Sequence, residues 1–173
     1  MVRSALTALR PPRRILASTL SDKVTTCVRS RVKASSDVAS RRMRAVRRED
    51  TDAEMRLRRA LHRLGARYRL HDRRLPGSPD LTFGGARAAV FVHGCFWHRH
   101  ANCPRSSMPK SNVQFWTSKF SANVARDATK ASSLESLGWR VFVLWECEIE
   151  RDAEASAKKV IGYLKRSNGQ ARR

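Results

Sequence analysis

Acidic residues are scarce in this chain. Asp and Glu number 15 against 36 Lys and Arg, a formal net charge of +21 over 173 residues. Such an excess points to nucleic acid, because every phosphate neutralised releases condensed counterions and adds sequence-independent affinity. Long apolar runs are absent too. No stretch of about 18 apolar residues occurs, which excludes a hydrophobic membrane-spanning helix. Residues 1–20 lack the continuous apolar segment of a secretion signal. Cysteines number only four. Without a secretion signal they are expected as thiolates rather than disulfides.

The positive charge is concentrated at the start. Residues 1–48 hold 13 Lys and Arg against Asp22 and Asp37, a net charge of +11. Ser, Thr, Val and Arg dominate there without sustained periodicity, so residues 1–40 read as a basic, disordered extension. Three roles fit it: a flexible DNA-binding arm, a targeting segment, or translated sequence upstream of the true start. The folded domain is expected over 41–165, followed by a basic tail at 166–173.

Within the domain, Thr51-Asp52-Ala53-Glu54 has the spacing of a capping box. Leu57, Ala60, Leu61 and Leu64 follow at helical intervals, and Gly65 is a natural stop. Residues 67–71 predict a short strand. In Leu75-Pro76-Gly77-Ser78-Pro79 two prolines fix φ and Gly77 permits a positive one, so this is a turn. Strands are expected at Asp80–Phe83 and Ala88–Val92, hinged on Gly84-Gly85. Ser111-Asn112-Val113-Gln114 predicts a second capping box. A long helix follows, with Phe120, Val124, Ala131 and Leu134 inward, ending at Gly138. Trp139–Trp145 is an apolar strand, and a last helix covers about 152–165. This order implies an α/β domain with a mixed central sheet flanked by helices.

The chemistry is densest at Phe91-Val92-His93-Gly94-Cys95-Phe96-Trp97-His98-Arg99-His100-Ala101-Asn102-Cys103. Three His, two Cys and a Phe-Trp pair share thirteen residues. Asp80 leads a strand whose hairpin partner ends just before this segment. Such an acid terminates turns in many proteins. It is also how nucleases seat a divalent ion, since Mg²⁺ takes hard oxygen ligands and one carboxylate, a backbone carbonyl and waters suffice. The Val92 carbonyl is the candidate second ligand. Cys95, His100, Cys103 and the distant Cys147 make a Cys₃His set suited to structural Zn²⁺; the alternative is buried reduced thiols. His93 and His98 remain as acid–base candidates beside Asp80. Phe96 and Trp97, being consecutive, cannot both face the core of a regular strand. With Trp116 they are candidate wedges between base steps. Glu54 is explained by the capping box, with a place beside a metal-held water as its second reading.

Several of these pieces recur together in one family. Met43-Arg44-Ala45, Asp50-Thr51, Leu75–Asp80, His93-Gly94-Cys95-Phe96-Trp97-His98, Phe115-Trp116, Asn123–Asp127, Leu137–Val141 and Trp145-Glu146-Cys147 lie in order over more than half the chain. This run resembles the very short patch repair (Vsr) DNA mismatch endonucleases. The resemblance implies a restriction-endonuclease-like, PD-(D/E)xK-type fold with a structural zinc site. It implies an enzyme that nicks duplex DNA 5′ to the thymine of a T·G mismatch left by deamination of 5-methylcytosine. Asp80 and Val92 would hold catalytic Mg²⁺. His98 would act as general base, with His93 supporting phosphate or leaving-group chemistry and Glu54 ordering water. Cys95, His100, Cys103 and Cys147 would hold zinc, while Phe96, Trp97 and Trp116 would intercalate. Implied partners are mismatched double-stranded DNA, a companion cytosine-5 DNA methyltransferase, and a repair polymerase and ligase. A monomer in the bacterial cytoplasm, at the nucleoid and without membrane attachment, is expected. One departure stands out: the lysine of the wider nuclease superfamily is absent, and His93 stands in its place.

Overall fold

The computed structural model describes residue 47 and residues 49–168; the expectations for residues 1–40, Met43-Arg44-Ala45, Cys27 and residues 169–173 of the tail lie outside them, while residues 166–168, expected in the tail at 166–173, continue the last helix. Helix α1 spans Asp52–Arg63, strand β1 Arg69–Leu70, β2 Leu81–Phe83 and β3 Ala88–His93. Helix α2 spans Val113–Ser136, β4 Arg140–Trp145, α3 Glu146–Arg151 and α4 Ala153–Asn168. The strands form one four-stranded sheet in the order β1-β2-β3-β4. β1–β2 and β2–β3 are antiparallel, and β3–β4 is parallel. The parallel step is the one bridged by a long helix, as a crossover requires.

Strand alternation decides what lies on each face. Ala88 and Val90 point into a core shared with Ala53, Leu57, Ala60 and Leu61 of α1, Ile149 of α3, and Ala157 and Val160 of α4. Ala89 and Phe91, one residue out of phase, pack on Leu134 of α2 beside Leu75, Trp139, Val141 and Val143. Both faces of β3 are therefore covered, which explains why it reads as a continuous apolar run. Full burial of a side chain such as Leu57 or Leu134 is worth about 1.5–3 kcal/mol.

The first capping box forms as its spacing predicts: the Thr51 side chain accepts from the Glu54 N–H, and the Glu54 side chain accepts from the Thr51 N–H. The second does not. Asn112 caps α2 in the left-handed conformation and makes no side-chain cap hydrogen bond. The expected strand over 67–71 narrows to Arg69–Leu70. Leu64 and Val124, expected inward, are 40% and 46% exposed. Leu64 falls beyond the last turn of α1, and Val124 lines an open cleft above the sheet. The short helix α3, which carries Cys147, follows β4 without a loop.

Gly77 is favoured by its backbone conformation, and a side chain there would also force Lys130 to shift. Its φ of +77° is left-handed, and a Cβ there would meet the Lys130 side chain at 2.7 Å.

Candidate active site and metal centre

The sheet topology gathers the chemistry at one end. The end of β1, the start of β2, and the ends of β3 and β4 coincide there, bringing together His71, Asp80, Val92-His93 and Trp145. Register explains how Asp80 is held. The His71 N–H donates to the Asp80 carbonyl at 3.4 Å, so the Asp80 main chain faces β1. Leu81 therefore faces β3, where it pairs with Val90. Two residues further, Val92 falls opposite Pro79, whose nitrogen carries no hydrogen. The ladder cannot supply a donor to the Val92 carbonyl there. The Val92 N–H instead donates to Asp80 Oδ2 at 2.7 Å. A strand residue turns its N–H and carbonyl to the same side, so the Val92 carbonyl also faces this end of β2.

Asp80 is largely buried, its side chain 17% exposed. Burial pushes its carboxyl up to about 6, assisted by the nearby Glu54 and opposed by the Val92 hydrogen bond. Glu54 is itself 3% exposed. Its Oε1 accepts from the Thr51 hydroxyl at 2.9 Å and its Oε2 from Arg58 at 2.7 Å. A desolvated carboxylate beside a second acid fits a hard divalent cation, which would relieve both.

A second group stands on the α2 side. The His93 and His98 rings stack at 4.0 Å, 13° from parallel, and His98 Nδ1 bonds to Asp127 Oδ2. Lys130 Nζ lies 3.8 Å from the other Asp127 oxygen. Burial, then the neighbouring His98, push the His93 imidazole down to about 4, so it is neutral at physiological pH. A cleft of about 310 Å³ opens over this group, lined by Phe91, Val124, Ala131 and Val143 among others. His93 and His98 thus meet Asp127, and Asp80 meets Glu54 and His71; the consecutive residues Val92 and His93 join the two groups.

The four expected metal ligands converge. One donor atom each from Cys95, His100, Cys103 and Cys147 lie within 4.8 Å of one another. His100 Nδ1 is 3.6 Å from Cys95 Sγ and 3.4 Å from Cys147 Sγ. Bonds of about 2.3 Å to sulfur and about 2.0 Å to nitrogen at the tetrahedral angle put N and S roughly 3.5 Å apart, so the set fits a tetrahedral ion. Burial pushes the Cys95 thiol up to about 12, so the sulfur keeps its proton near neutral pH unless a bound cation displaces it. Trp145 ties this cluster to the imidazoles: it stacks on His100 at 4.1 Å and meets His93 edge-on at 5.5 Å.

Phe96 and Trp97 occupy a turn, not a strand, and both are half-buried. Phe96 contacts Trp97 at 5.1 Å, Trp116 at 5.5 Å and Phe120 at 5.1 Å, each edge-on. Lys119 Nζ lies 5.5 Å from the Trp97 ring and 5.9 Å from Trp116. Asn123 of α2 donates to the Trp97 carbonyl at 3.0 Å, and the Cys95 N–H to Glu146 at 3.4 Å, bracing the turn from two sides.

His71, Asp50, Arg58 and Asp127 also belong to these groups but have no local signature. Asp127 sits within the Asn123–Asp127 segment, yet only the fold brings it to a residue 29 positions away.

Buried acids and paired imidazoles at one end of a mixed sheet, in a strongly basic chain, define a class: endonucleases acting on DNA. The comparisons with known proteins narrow it. The family model described as DNA mismatch endonuclease Vsr matches residues 33–105. The nicking enzyme V.XorIIP of Xanthomonas oryzae pv. oryzae is 47% identical over 107 residues, 62% of this chain and 78% of its own. The DNA mismatch endonuclease Vsr of Escherichia coli K12 is 42% identical over 110 residues, 64% of this chain and 70% of its own. The nicking enzyme V.NaeI of Lentzea aerocolonigenes is 40% identical over 131 residues, 72% of this chain and 77% of its own. The chain belongs to the Vsr family of DNA mismatch endonucleases.

Proposed function

We propose that this protein nicks duplex DNA 5′ to the thymine of a T·G mismatch and so starts very short patch repair. The observation that carries the mechanism is the pairing of His98 Nδ1 with Asp127 at the sheet end that holds Asp80. A carboxylate on Nδ1 fixes the proton there and leaves Nε2 bare, the tautomer a general base needs. His98 Nε2 then takes the proton of the attacking water, and Asp127 stabilises the imidazolium. His93, neutral and stacked on His98, offers a donor to a phosphate oxygen without adding a competing base. Asp80 and the Val92 carbonyl would hold Mg²⁺, with Glu54 beside them ordering water. Bound there, the ion would supply charge stabilisation at the phosphate under attack. The product carries a 5′-phosphate and a 3′-hydroxyl. In this reading the fold is of the restriction-endonuclease-like, PD-(D/E)xK type, with His93 where the usual lysine would stand; the mixed sheet flanked by helices supports it.

Cys95, His100, Cys103 and Cys147 hold zinc in this reading. Four protein ligands would fill a tetrahedral ion, so its role would be to staple the 95–103 segment to α3. That segment presents Phe96 and Trp97, which with Trp116 form an aromatic wedge beside the mismatch. A wobble pair is cheaper to open than a Watson–Crick pair, which favours insertion there. Family membership supports a companion cytosine-5 methyltransferase and a repair polymerase and ligase downstream. A single T·G site is asymmetric, which fits a monomer. Among the described residues no helix is long and apolar enough to cross a membrane, in keeping with action on DNA in the cytoplasm, at the nucleoid.

The test uses end-labelled duplexes bearing one T·G, with T·A and C·G controls, in Mg²⁺ or in EDTA. One Mg²⁺-dependent nick 5′ to the mismatched thymine is expected. Equal cutting of the matched duplexes would discard the mismatch assignment, and binding without a nick would make the protein a DNA-binding module.

A further inference from the structure

Beside Asp80 lies a cluster that the capping box and the hydrolytic groups account for only at Glu54. Donor atoms of Asp50, Glu54 and His71 come within 4.8 Å of one another, a spacing at which three such groups hold a metal ion. A cation already stands among them. Arg58, one turn along α1 from Glu54, is 7% exposed and turns its guanidinium into the cluster. Its Nη1 donates to Asp50 Oδ1 and to Met55 Sδ at 3.5 Å. Its Nη2 donates to Glu54 Oε2 at 2.7 Å and lies 2.9 Å from His71 Nε2. The four terminal hydrogens are thereby all assigned, and only Nε is left buried without a partner.

This arrangement sets the state of His71. A guanidinium donates and never accepts, so His71 Nε2 must be the acceptor. The imidazole proton is then on Nδ1, and Nδ1 is the atom facing Asp80 Oδ1, 4.0 Å away. Asp80 has a donor near each oxygen: the Val92 N–H bonds to Oδ2, and the His71 ring Nδ1–H stands 4.0 Å from Oδ1. The Asp50 carboxyl is held below its usual range by the Arg58 hydrogen bond, against a smaller burial effect.

We propose that Arg58 is a tethered cation occupying the position of a metal ion at Asp50, Glu54 and His71. Through His71 it is a positioning residue for Asp80. The consequence is that no divalent ion enters the Asp50–Glu54–His71 position beside Asp80, and that removal of Arg58 would admit one there. This rests on the reading of Asp80 as a metal ligand. An Arg in this place has one property an ion lacks: it cannot dissociate, so Glu54 and His71 keep their geometry before metal or DNA arrives.

Both tests use the full chain without DNA. The first is ¹⁵N NMR of the His71 ring in the wild-type protein. A protonated Nδ1 and a bare Nε2 are expected in wild type and in Arg58→Lys, and a shift toward the Nε2–H tautomer in Arg58→Met. The second is a Mn²⁺ titration followed by calorimetry with the Cys₃His site preloaded with zinc. Arg58→Met is expected to bind one Mn²⁺ more than wild type and Arg58→Lys. Wild-type His71 protonated at Nε2, or the same Mn²⁺ count in wild type and Arg58→Met, would overturn the proposal. Because the wild-type spectrum needs no variant, it decides the tautomer even where Arg58→Met does not fold. Neither measurement involves turnover. Full nicking by Asp80→Asn would instead strike the reading of Asp80 and leave the Arg58 results standing.

Discussion

Asp80→Asn provides a quantitative check on the carboxylate site. Burial raises the Asp80 carboxyl from its ordinary 3.8 to about 6. The folded protein then holds this proton more tightly than the unfolded chain does. Folding takes up a proton between the two values, so stability falls as pH rises through this window and stays low above it. A displacement of about two pH units corresponds to about 3 kcal/mol of penalty at neutral pH without metal. Roughly half is already present near pH 5, so wild type should lose a further ~1.5 kcal/mol relative to Asp80→Asn between about pH 5 and pH 8. Asparagine keeps an oxygen for the Val92 N–H, and any fixed cost of the substitution cancels when the two pH values are compared. The assay is urea unfolding of both proteins at each pH in Mg²⁺-free buffer, without chelator so that the thiolate site stays intact. Mg²⁺ added at the higher pH should restore wild type and leave Asp80→Asn unchanged. Parallel pH profiles would refute the account of Asp80 as a desolvated carboxylate awaiting a cation.

Three other outcomes follow from the same geometry. Asp127→Asn should lower the single-turnover nicking rate by about 10²–10⁴-fold with duplex affinity nearly unchanged, since the amide no longer selects the basic Nε2 tautomer of His98; a rate within threefold of wild type would remove Asp127 from the mechanism. Cys147→Ser should reduce bound zinc well below one ion per chain by elemental analysis and lower the melting temperature, because the 95–103 segment loses its tie to α3; full zinc content would mean that other ligands hold the ion. Trp97→Ala should cut the T·G-dependent rise in fluorescence of 2-aminopurine placed beside the mismatch by several-fold, with smaller effect on binding to matched duplex; an unchanged signal would take Trp97 out of the wedge.

Much of the fold was legible because it depends on local rules. The capping box at Thr51–Glu54, the Pro-Gly turn before Asp80 and the apolar strands at 88–93 and 140–145 are each dictated by short-range geometry or period. The cysteines and histidines at 95–103 marked a candidate metal set, and the fold does bring Cys95, His100 and Cys103 together with Cys147. Local rules also misled where context outweighs them. Ser111-Asn112-Val113-Gln114 has cap-like composition, but Asn112 enters α2 left-handed, a conformation its short polar side chain tolerates. Val124 keeps helical spacing with Phe120 and still faces the cleft, because α2 packs on the sheet through Leu134 at its far end.

What the sequence alone determined is the inventory: a basic chain, a nucleic-acid target, an acid at a strand start, a Cys₃His set and an aromatic pair. Which groups work together was decided only by the tertiary structure. His98 acquires Asp127 because α2 crosses the sheet as the bridge between the parallel strands β3 and β4. Asp80 acquires His71 and Arg58 because β1 runs beside β2 and α1 closes over that face. These partners lie 9 to 29 residues apart. Their contacts are fixed by register and helix packing, which depend on the burial of both sheet faces at once and leave no mark in any short window of sequence.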